Sequence, residues 1–94
     1  MTVLYFNKRK PLPHAIKLAE QSICTQLITL RTNAGISQTE LAYRCGLYPH
    51  QIKQYETGAI KISANKLKVI TDTLNCDIGD FYDKIKNLIQ EKVA

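Results

Sequence analysis

The sequence predicts an all-α fold, a compact bundle of five helices, on three grounds. Apolar residues recur at steps of three and four over long stretches, which is the spacing of one buried helical stripe. Residues that can begin a helix are followed by glycines that can end it. The 94 residues are 45% hydrophobic and 22% charged, which suits one soluble domain with a single modest core.

The first 13 residues differ in composition from the remainder, and we expect an arm or linker there, followed by a single domain over residues 14–94. Residues 2–6, TVLYF, favour a β-strand, whereas residues 7–13 are basic and contain two prolines. The sequence therefore predicts either a short N-terminal strand or a flexible arm.

The first predicted helix runs from His14 to about Asn33. Its buried stripe consists of five apolar residues: Ile16, Ala19, Ile23, Leu27 and Leu30. Gly35 can adopt the left-handed conformation that commonly ends a helix, so the first helix is expected to end there.

Two short helices follow. Ser37 and Glu40, three residues apart, form a capping box, which predicts a second helix over about residues 38–45. Pro49 suits the first turn of a third helix over about residues 49–57, because the N–H that proline lacks would be unpaired there anyway.

The fourth and fifth helices complete the bundle. Ser63 can cap a fourth helix, whose inner face holds three apolar residues: Leu67, Ile70 and Leu74. A fifth helix is expected to begin near Gly79, with an apolar side formed by Phe81, Ile85, Leu88 and Ile89.

The short connection between the second and third helices forces them to cross at a steep angle. Small residues are needed at such a crossing, and Ala42 and Gly46 supply them; Gly46 also suits a turn with positive φ. Ile52 follows six residues later and can lock both helices onto the core. Offsets of four and six are the spacing of a helix-turn-helix, although any tight pair of helices favours small residues where it crosses.

The charge distribution favours a polyanionic partner. The net charge is +5 and the pI is about 9.2. Residues 1–31 carry five basic residues and one acidic residue, residues 32–63 carry three and two, and residues 64–94 are balanced. Because many basic proteins bind no polyanion, charge alone gives only modest support for a nucleic-acid partner.

Other function classes find little support in the sequence. Cys24, Cys45 and Cys76 include no C-x-x-C pair and have no histidine at ligand spacing, so we expect reduced, buried cysteines and neither a metal site nor a cofactor. Nucleophile and phosphate-loop motifs are missing, which argues against an enzyme. The apolar stretch near the start is too short for a membrane span, and a cytoplasmic protein is expected.

The run ISQTELAYRCGLYPHQIKQYETG, followed by a leucine-bearing helix and LNCDIGDFYD, resembles the Xre family of Cro- and phage-repressor-type helix-turn-helix transcription regulators. The similarity covers about residues 27–83 and rests on LR before the first turn, SQ-x-ELA, the turn glycine and I-x-x-YE-x-G. It implies a five-helix domain whose third helix enters the major groove of DNA. Pro49 and His50 depart from the residues common in the family, so the preferred base sequence cannot be transferred.

Four residues of the third helix are expected to read base edges: Pro49, His50, Lys53 and Gln54. His50 and Gln54 lie four residues apart and share one face of the helix, while Ile52 and Tyr55 point inward. Glutamine can pair with adenine, histidine can donate to guanine, and proline can contact a thymine methyl group. The alternative is an ordinary solvated polar face.

A second set of residues is expected to contact DNA phosphates: Gln38, Arg44, Gln51, Thr57 and Lys61. Gln38 occupies the first position of the second helix, where its side chain and unpaired backbone N–H groups can both meet a phosphate. The resemblance implies phosphate contacts for Thr57 and Lys61, although a solvated loop is nearly as well supported. For Lys8, Arg9 and Lys10, a solvated charge run is favoured over an arm that wraps the duplex.

The resemblance also implies a structural ion pair and a mode of assembly. Arg31 and Glu56, at the ends of the first and third helices, correspond to partners that position the recognition helix. The expected partner is double-stranded DNA, bound by a homodimer, since one such domain covers half an operator. Apolar residues of the fifth helix are the candidate dimer surface: Ile85, Leu88, Ile89 and Val93. The alternative is an antitoxin-like protein that also binds a toxin.

Overall fold

The computed structural model describes residues 13–93, which fold into five helices. They are α1 (Pro13–Asn33), α2 (Gln38–Cys45), α3 (Pro49–Thr57), α4 (Ala64–Thr73) and α5 (Ile78–Val93). The predicted all-α five-helix bundle is confirmed. The predicted strand or arm over residues 1–13 lies outside the described residues except for Pro13, which begins α1. None of the described helices combines the length and the apolar character needed to cross a lipid bilayer.

The start of α2 is fixed by local capping. The Ser37 hydroxyl oxygen accepts a hydrogen bond from the backbone N–H of Glu40 at 3.0 Å, as the sequence predicts. In a complete capping box the Glu40 carboxylate would accept the backbone N–H of Ser37. Here it instead accepts a hydrogen bond from Arg44 Nε at 2.8 Å. The first turn of α2 is therefore capped from one side only.

The turn between α2 and α3 depends on Gly46. Its φ of 71° lies in the left-handed region, and the next residue, Leu47, donates its N–H to the carbonyl of Ala42 at 2.9 Å. A β-carbon at Gly46 would meet nothing within 4 Å, so the backbone conformation rather than lack of space requires glycine. Ala42 is fully buried where α2 packs on α3. The helix-turn-helix crossing follows from these two small residues.

The core joins all five helices. Its buried members are Leu27, Leu41, Ala42, Ile52, Tyr55, Leu67, Ile70, Phe81 and Ile85. The inner face predicted for α4 is correct for Leu67 and Ile70, while Leu74 is partly buried at the helix end. The helices adjoining α3 thus form a packed support on which its position depends.

The apolar stripe predicted for α1 is partly wrong. Leu27 is buried and Ile23 and Leu30 pack against the core, but Ile16 is exposed. A second row, spaced by four residues, is buried instead: Leu18, Ser22 and Gln26. The reason is that α1 packs against both α3 and α5, so two of its faces are covered. Because Ser22 and Gln26 are polar, apolar periodicity in the sequence does not indicate that this face is buried.

The α5 helix packs along α1 and fills the core with Phe81 and Ile85. Ile89 is partly buried against the same core. The expected dimer surface on α5 is therefore wrong for Ile85, which is only 6% exposed within its own chain. Leu88 remains half-buried, and the side chain of Val93 lies outside the described residues.

The three cysteines are free thiols and are half-buried, which is less buried than the sequence suggests. Burial is the main cause that raises the pKa of the Cys24 and Cys76 thiols above the ordinary value. Across residues 13–93, no three His, Cys, Asp or Glu side chains gather in an arrangement able to hold a metal ion.

Candidate nucleic-acid interface

The inner face of α3 is firmly embedded. Ile52, Tyr55 and Glu56 are each less than a tenth exposed, and the spacing of one and three residues places them on one side of the helix. Ile52 and Tyr55 belong to the hydrophobic core, whereas Glu56 brings a carboxylate to its edge. The orientation of α3 about its own axis is set by these three side chains.

The opposite side of α3 is available to a ligand. Pro49, His50 and Lys53 are exposed and Gln54 is half-exposed, and we call these four residues the reading face after the role that the sequence predicts for them. Lys53 takes part in none of the ion pairs found among residues 13–93. The backbone carbonyl of Gln54 accepts bonds from Thr57 Oγ1 and from the Ile60 N–H, both at 3.3 Å. These bonds join the end of α3 to the loop that follows.

Glu56 is paired with Arg31 in a two-bonded arrangement. Arg31 Nε donates to Glu56 Oε2 at 2.6 Å and Nη2 donates to Oε1 at 3.1 Å. The third nitrogen, Nη1, donates to the Ile36 carbonyl at 2.9 Å. The hydrogen bond to Glu56 is the main cause that raises the pKa of Arg31, so the guanidinium stays charged at any working pH. One side chain thus ties α1, the loop before α2, and α3 together.

Gln38 adds a third donor to the same carboxylate. Its Nε2 donates to Glu56 Oε1 at 2.9 Å, which connects the first residue of α2 to the end of α3. The predicted phosphate contact of Gln38 stays a prediction. The contact remains chemically possible, because the amide Nε2 carries a second donor hydrogen and the backbone N–H at the helix start can also donate to a phosphate.

The two cations predicted to contact phosphates both lie in surface ion pairs. Arg44 pairs with Glu40, one turn earlier on α2, at 2.8 Å. Lys61, in the loop after α3, pairs with Glu20 of α1 at 2.9 Å. All four side chains are more than 40% exposed, and pairs of this kind contribute about 0 to 1 kcal/mol. A phosphate can therefore compete for either cation.

Gln51 and Thr57 have structural contacts of their own. The Gln51 Oε1 accepts the backbone N–H of Tyr48 at 2.9 Å, which caps the start of α3 and leaves the amide Nε2 as a donor. Thr57 uses its hydroxyl hydrogen within the last turn of α3. Their predicted phosphate contacts stay predictions, and the one of Thr57 requires its hydroxyl to rotate.

The sequence model of the Cro/C1-type helix-turn-helix DNA-binding domain matches residues 27–87. That span contains the whole of α2, α3 and α4. It also contains both residues of the Arg31–Glu56 pair, which joins the end of α1 to the end of α3. The chain belongs to this family. The predicted resemblance to Cro- and phage-repressor-type regulators is confirmed.

Individual relatives agree with the assignment to the Cro/C1-type family. Two proteins named uncharacterized HTH-type transcriptional regulators, from Sinorhizobium medicae (strain WSM419) and Rhizobium meliloti (strain 1021), are 31% identical over 77 residues, which is 82% of this chain. The match covers 52% of each relative, so the chain spans about half the length of the curated relatives it matches.

Solved structures show the same fold. The wild-type restriction-modification controller protein C.Esp1396I superposes with a TM-score of 0.71 at 20% identity, covering 76% of this chain and 91% of that one. A variant of that protein in a trigonal crystal form gives 0.74 at 19% identity, covering 78% and 97%. At this level of identity, the likeness concerns the fold of the Cro/C1-type domain alone.

Two exposed tyrosines of this Cro/C1-type domain were not singled out from the sequence. Tyr43 on α2 is 81% exposed, and Tyr48, the residue before α3, is 69% exposed. The Tyr48 ring stacks on the ring of His50, with centroids 5.8 Å apart and an angle of 14° between the planes. A signal for Tyr48 was available, because its position directly before Pro49 is one where Ser, Thr, Asp or Asn is usual.

Proposed function

We propose that the protein is a transcriptional regulator that binds double-stranded DNA in a sequence-specific manner and reads the major groove with α3. The observation that carries this proposal is the contrast between the two sides of α3. In a chain that belongs to a DNA-binding family, the buried side fixes the helix and the exposed side presents the reading face. Such a regulator works where its DNA lies, and a cytoplasmic protein is expected.

The reading face offers donors, acceptors and apolar surface suited to base edges. Gln54 can form a pair of hydrogen bonds with N6 and N7 of adenine, and an N–H of His50 can donate to N7 or O6 of guanine. Lys53 can donate to the same guanine acceptors or to a neighbouring phosphate. Pro49 lacks a donor and can contact a thymine methyl group. Together these residues predict a short half-site of mixed base composition.

Phosphate contacts on either side would hold α3 in register. Gln38 lies at the N-terminus of α2, where unpaired N–H groups favour an anion. Lys61 and Thr57 follow the reading face in the chain, and Arg44 and Gln51 flank the turn between α2 and α3. These contacts carry little sequence information and instead set the position of the helix in the groove.

The proposal includes a homodimer on a pseudo-palindromic site. A single recognition helix reads only a few base pairs, whereas two copies related by a two-fold axis read two half-sites about one helical turn, roughly 10 base pairs, apart. The scattering mass of the protein bound to its selected duplex should equal two chains per duplex. A mass of one chain per duplex would contradict this part of the proposal.

Selection of bound sequences from a random duplex pool tests the proposal as a whole. We expect enrichment of one symmetric sequence, bound at least about 1000-fold more tightly than random duplex at the same salt concentration. Equal binding to all duplexes would reduce the function to non-specific DNA binding. Failure to bind any duplex, by a protein with an intact helical spectrum, would overturn it.

A further inference from the structure

The residue before α3 is an unusual one for its position. Tyr48 is the N-cap of α3, with extended backbone angles, but its side chain makes no capping hydrogen bond. Serine, threonine, aspartate and asparagine are preferred there because their side chains satisfy an N–H of the first turn. The Gln51 side chain takes over part of the capping by accepting the Tyr48 N–H at 2.9 Å. The Tyr48 side chain therefore contributes no hydrogen bond to the start of the helix.

Burial does not account for Tyr48 either. The residue is 69% exposed, so its ring contributes little to the hydrophobic core. Its ring contact is with His50, at a centroid distance of 5.8 Å and an interplanar angle of 14°, within the range of offset-stacked aromatic pairs. The tyrosine thus contacts a residue of the reading face and presents most of its own surface to solvent.

We propose that Tyr48 is a positioning residue of the DNA interface, which holds the His50 ring in the orientation that contacts a base edge. This inference rests on the proposed function, because it gives Tyr48 a role in the same interface. A histidine at an exposed helix start otherwise samples several rotamers, and fixing one of them before binding removes an ordering cost from the complex. The stack also orients the imidazole N–H groups, whose direction decides which acceptor they meet.

The free protein provides the first test. Protons of the His50 ring that lie near the Tyr48 ring should show ring-current shifts in the NMR spectrum. Tyr48→Phe keeps an aromatic ring and should preserve these shifts, whereas Tyr48→Ser should abolish them. Tyr43→Ser, which changes another exposed tyrosine, is the matched control and should leave the His50 signals unchanged. Identical His50 shifts in the parent and in Tyr48→Ser would show that the rings do not stack in solution and would overturn the proposal.

Base preference provides the second test. Tyr48→Ser should reduce discrimination at the base pair read by His50 by roughly 2- to 12-fold, the range expected for loss of one aromatic contact. Tyr48→Phe keeps the aromatic ring and should retain the discrimination of the parent at that base pair. Serine is a better N-cap than tyrosine, which offsets the loss of the stacked ring, so Tyr48→Ser should melt close to the temperature of the parent, which separates the effect from unfolding. Combined with His50→Ala, the serine variant should cause no further loss of discrimination.

The outcomes distinguish this role from the proposed function. If His50→Ala relaxes base preference and Tyr48→Ser does not, the positioning role is wrong while the reading face stands. If Tyr48→Ser and Tyr48→Phe lose discrimination equally, the hydroxyl group rather than the stacked ring is responsible, and the proposal is overturned. A parent protein without any base preference would overturn the proposed function and this role together.

Discussion

The two sides of α3 differ in what surrounds them. On the inner side, Ile52, Tyr55 and Glu56 are packed against the rest of the domain, and every one is less than a tenth exposed. On the outer side, Pro49, His50 and Lys53 face solvent. The same nine-residue helix therefore combines a fixed position with an exposed polar surface. In the proposed function, substitutions on the outer side would change base preference while leaving the packed inner side intact.

Glu56 is the polar centre of the inner side. Its carboxylate accepts three N–H groups, two from Arg31 and one from Gln38, and its side chain is only 5% exposed. The Glu40–Arg44 pair on α2 joins the same two residue types, but both side chains are nearly half exposed. Comparison of these two ion pairs separates the effect of burial from the effect of charge.

The largest expected effect comes from Glu56→Ala, which leaves Arg31 and Gln38 without their buried acceptor. We expect a loss of roughly 3 kcal/mol in the free energy of unfolding. Glu40→Ala, the matched control, should cost about 0.5 kcal/mol or less, because its pair is solvated. Urea denaturation of the three proteins checks both values. Coincident unfolding curves for Glu56→Ala and the parent would mean that the pair does not hold α3 in place.

Gln38 binds Glu56 and lies at the N-terminus of α2, so we expect it to affect both the stability of the fold and the binding of DNA phosphate. Gln38→Ala should lower the free energy of unfolding by about 1.5 kcal/mol, as expected for one hydrogen bond to a charged group. It should also weaken binding to every duplex without changing the salt dependence, because no charge is removed. Thr39→Ala, at the exposed neighbouring position, is the control for stability. Unchanged stability would limit Gln38 to a surface role.

The smallest effect should come from Lys61→Ala. Its Glu20 pair is exposed, so the stability of the fold should hardly change. If Lys61 contacts a phosphate, the slope of log affinity against log salt concentration should fall by about 0.9. Lys86→Ala removes an exposed charge from α5 and should leave the slope unchanged. Equal slopes for Lys61→Ala and Lys86→Ala would exclude the contact.

The sequence predicts the helix boundaries well because they depend on local chemistry. Ser37 and Ser63 cap the helices expected of them, Pro49 begins α3, and Gly46 adopts the left-handed conformation. Each of these effects involves residues within one turn of each other, so the order of residues along the chain is sufficient to indicate them.

Several side-chain contacts are less predictable from the sequence. The Gln38–Glu56 bond joins residues 18 apart and exists only because α2 and α3 pack together. The capping box expected of Glu40 is incomplete because Arg44, one turn later, competes for its carboxylate. The buried row containing Ser22 and Gln26 was missed because polar residues at a helix–helix contact carry no apolar signal. The Gln38–Glu56 bond and the buried row depend on tertiary neighbours, whereas the Glu40–Arg44 pair is a local contact between residues one turn apart on α2.

In the proposed function, the outer side of α3 reads bases while the inner side only holds the helix. Parallel selections from one random duplex pool, with the parent and with Gln54→Ala, test it most directly. We predict that the variant keeps the half-site spacing and loses about 1 to 3 kcal/mol of preference at one base pair of each half-site, with its melting temperature unchanged. The same base preferences from both proteins at every position would contradict the claim.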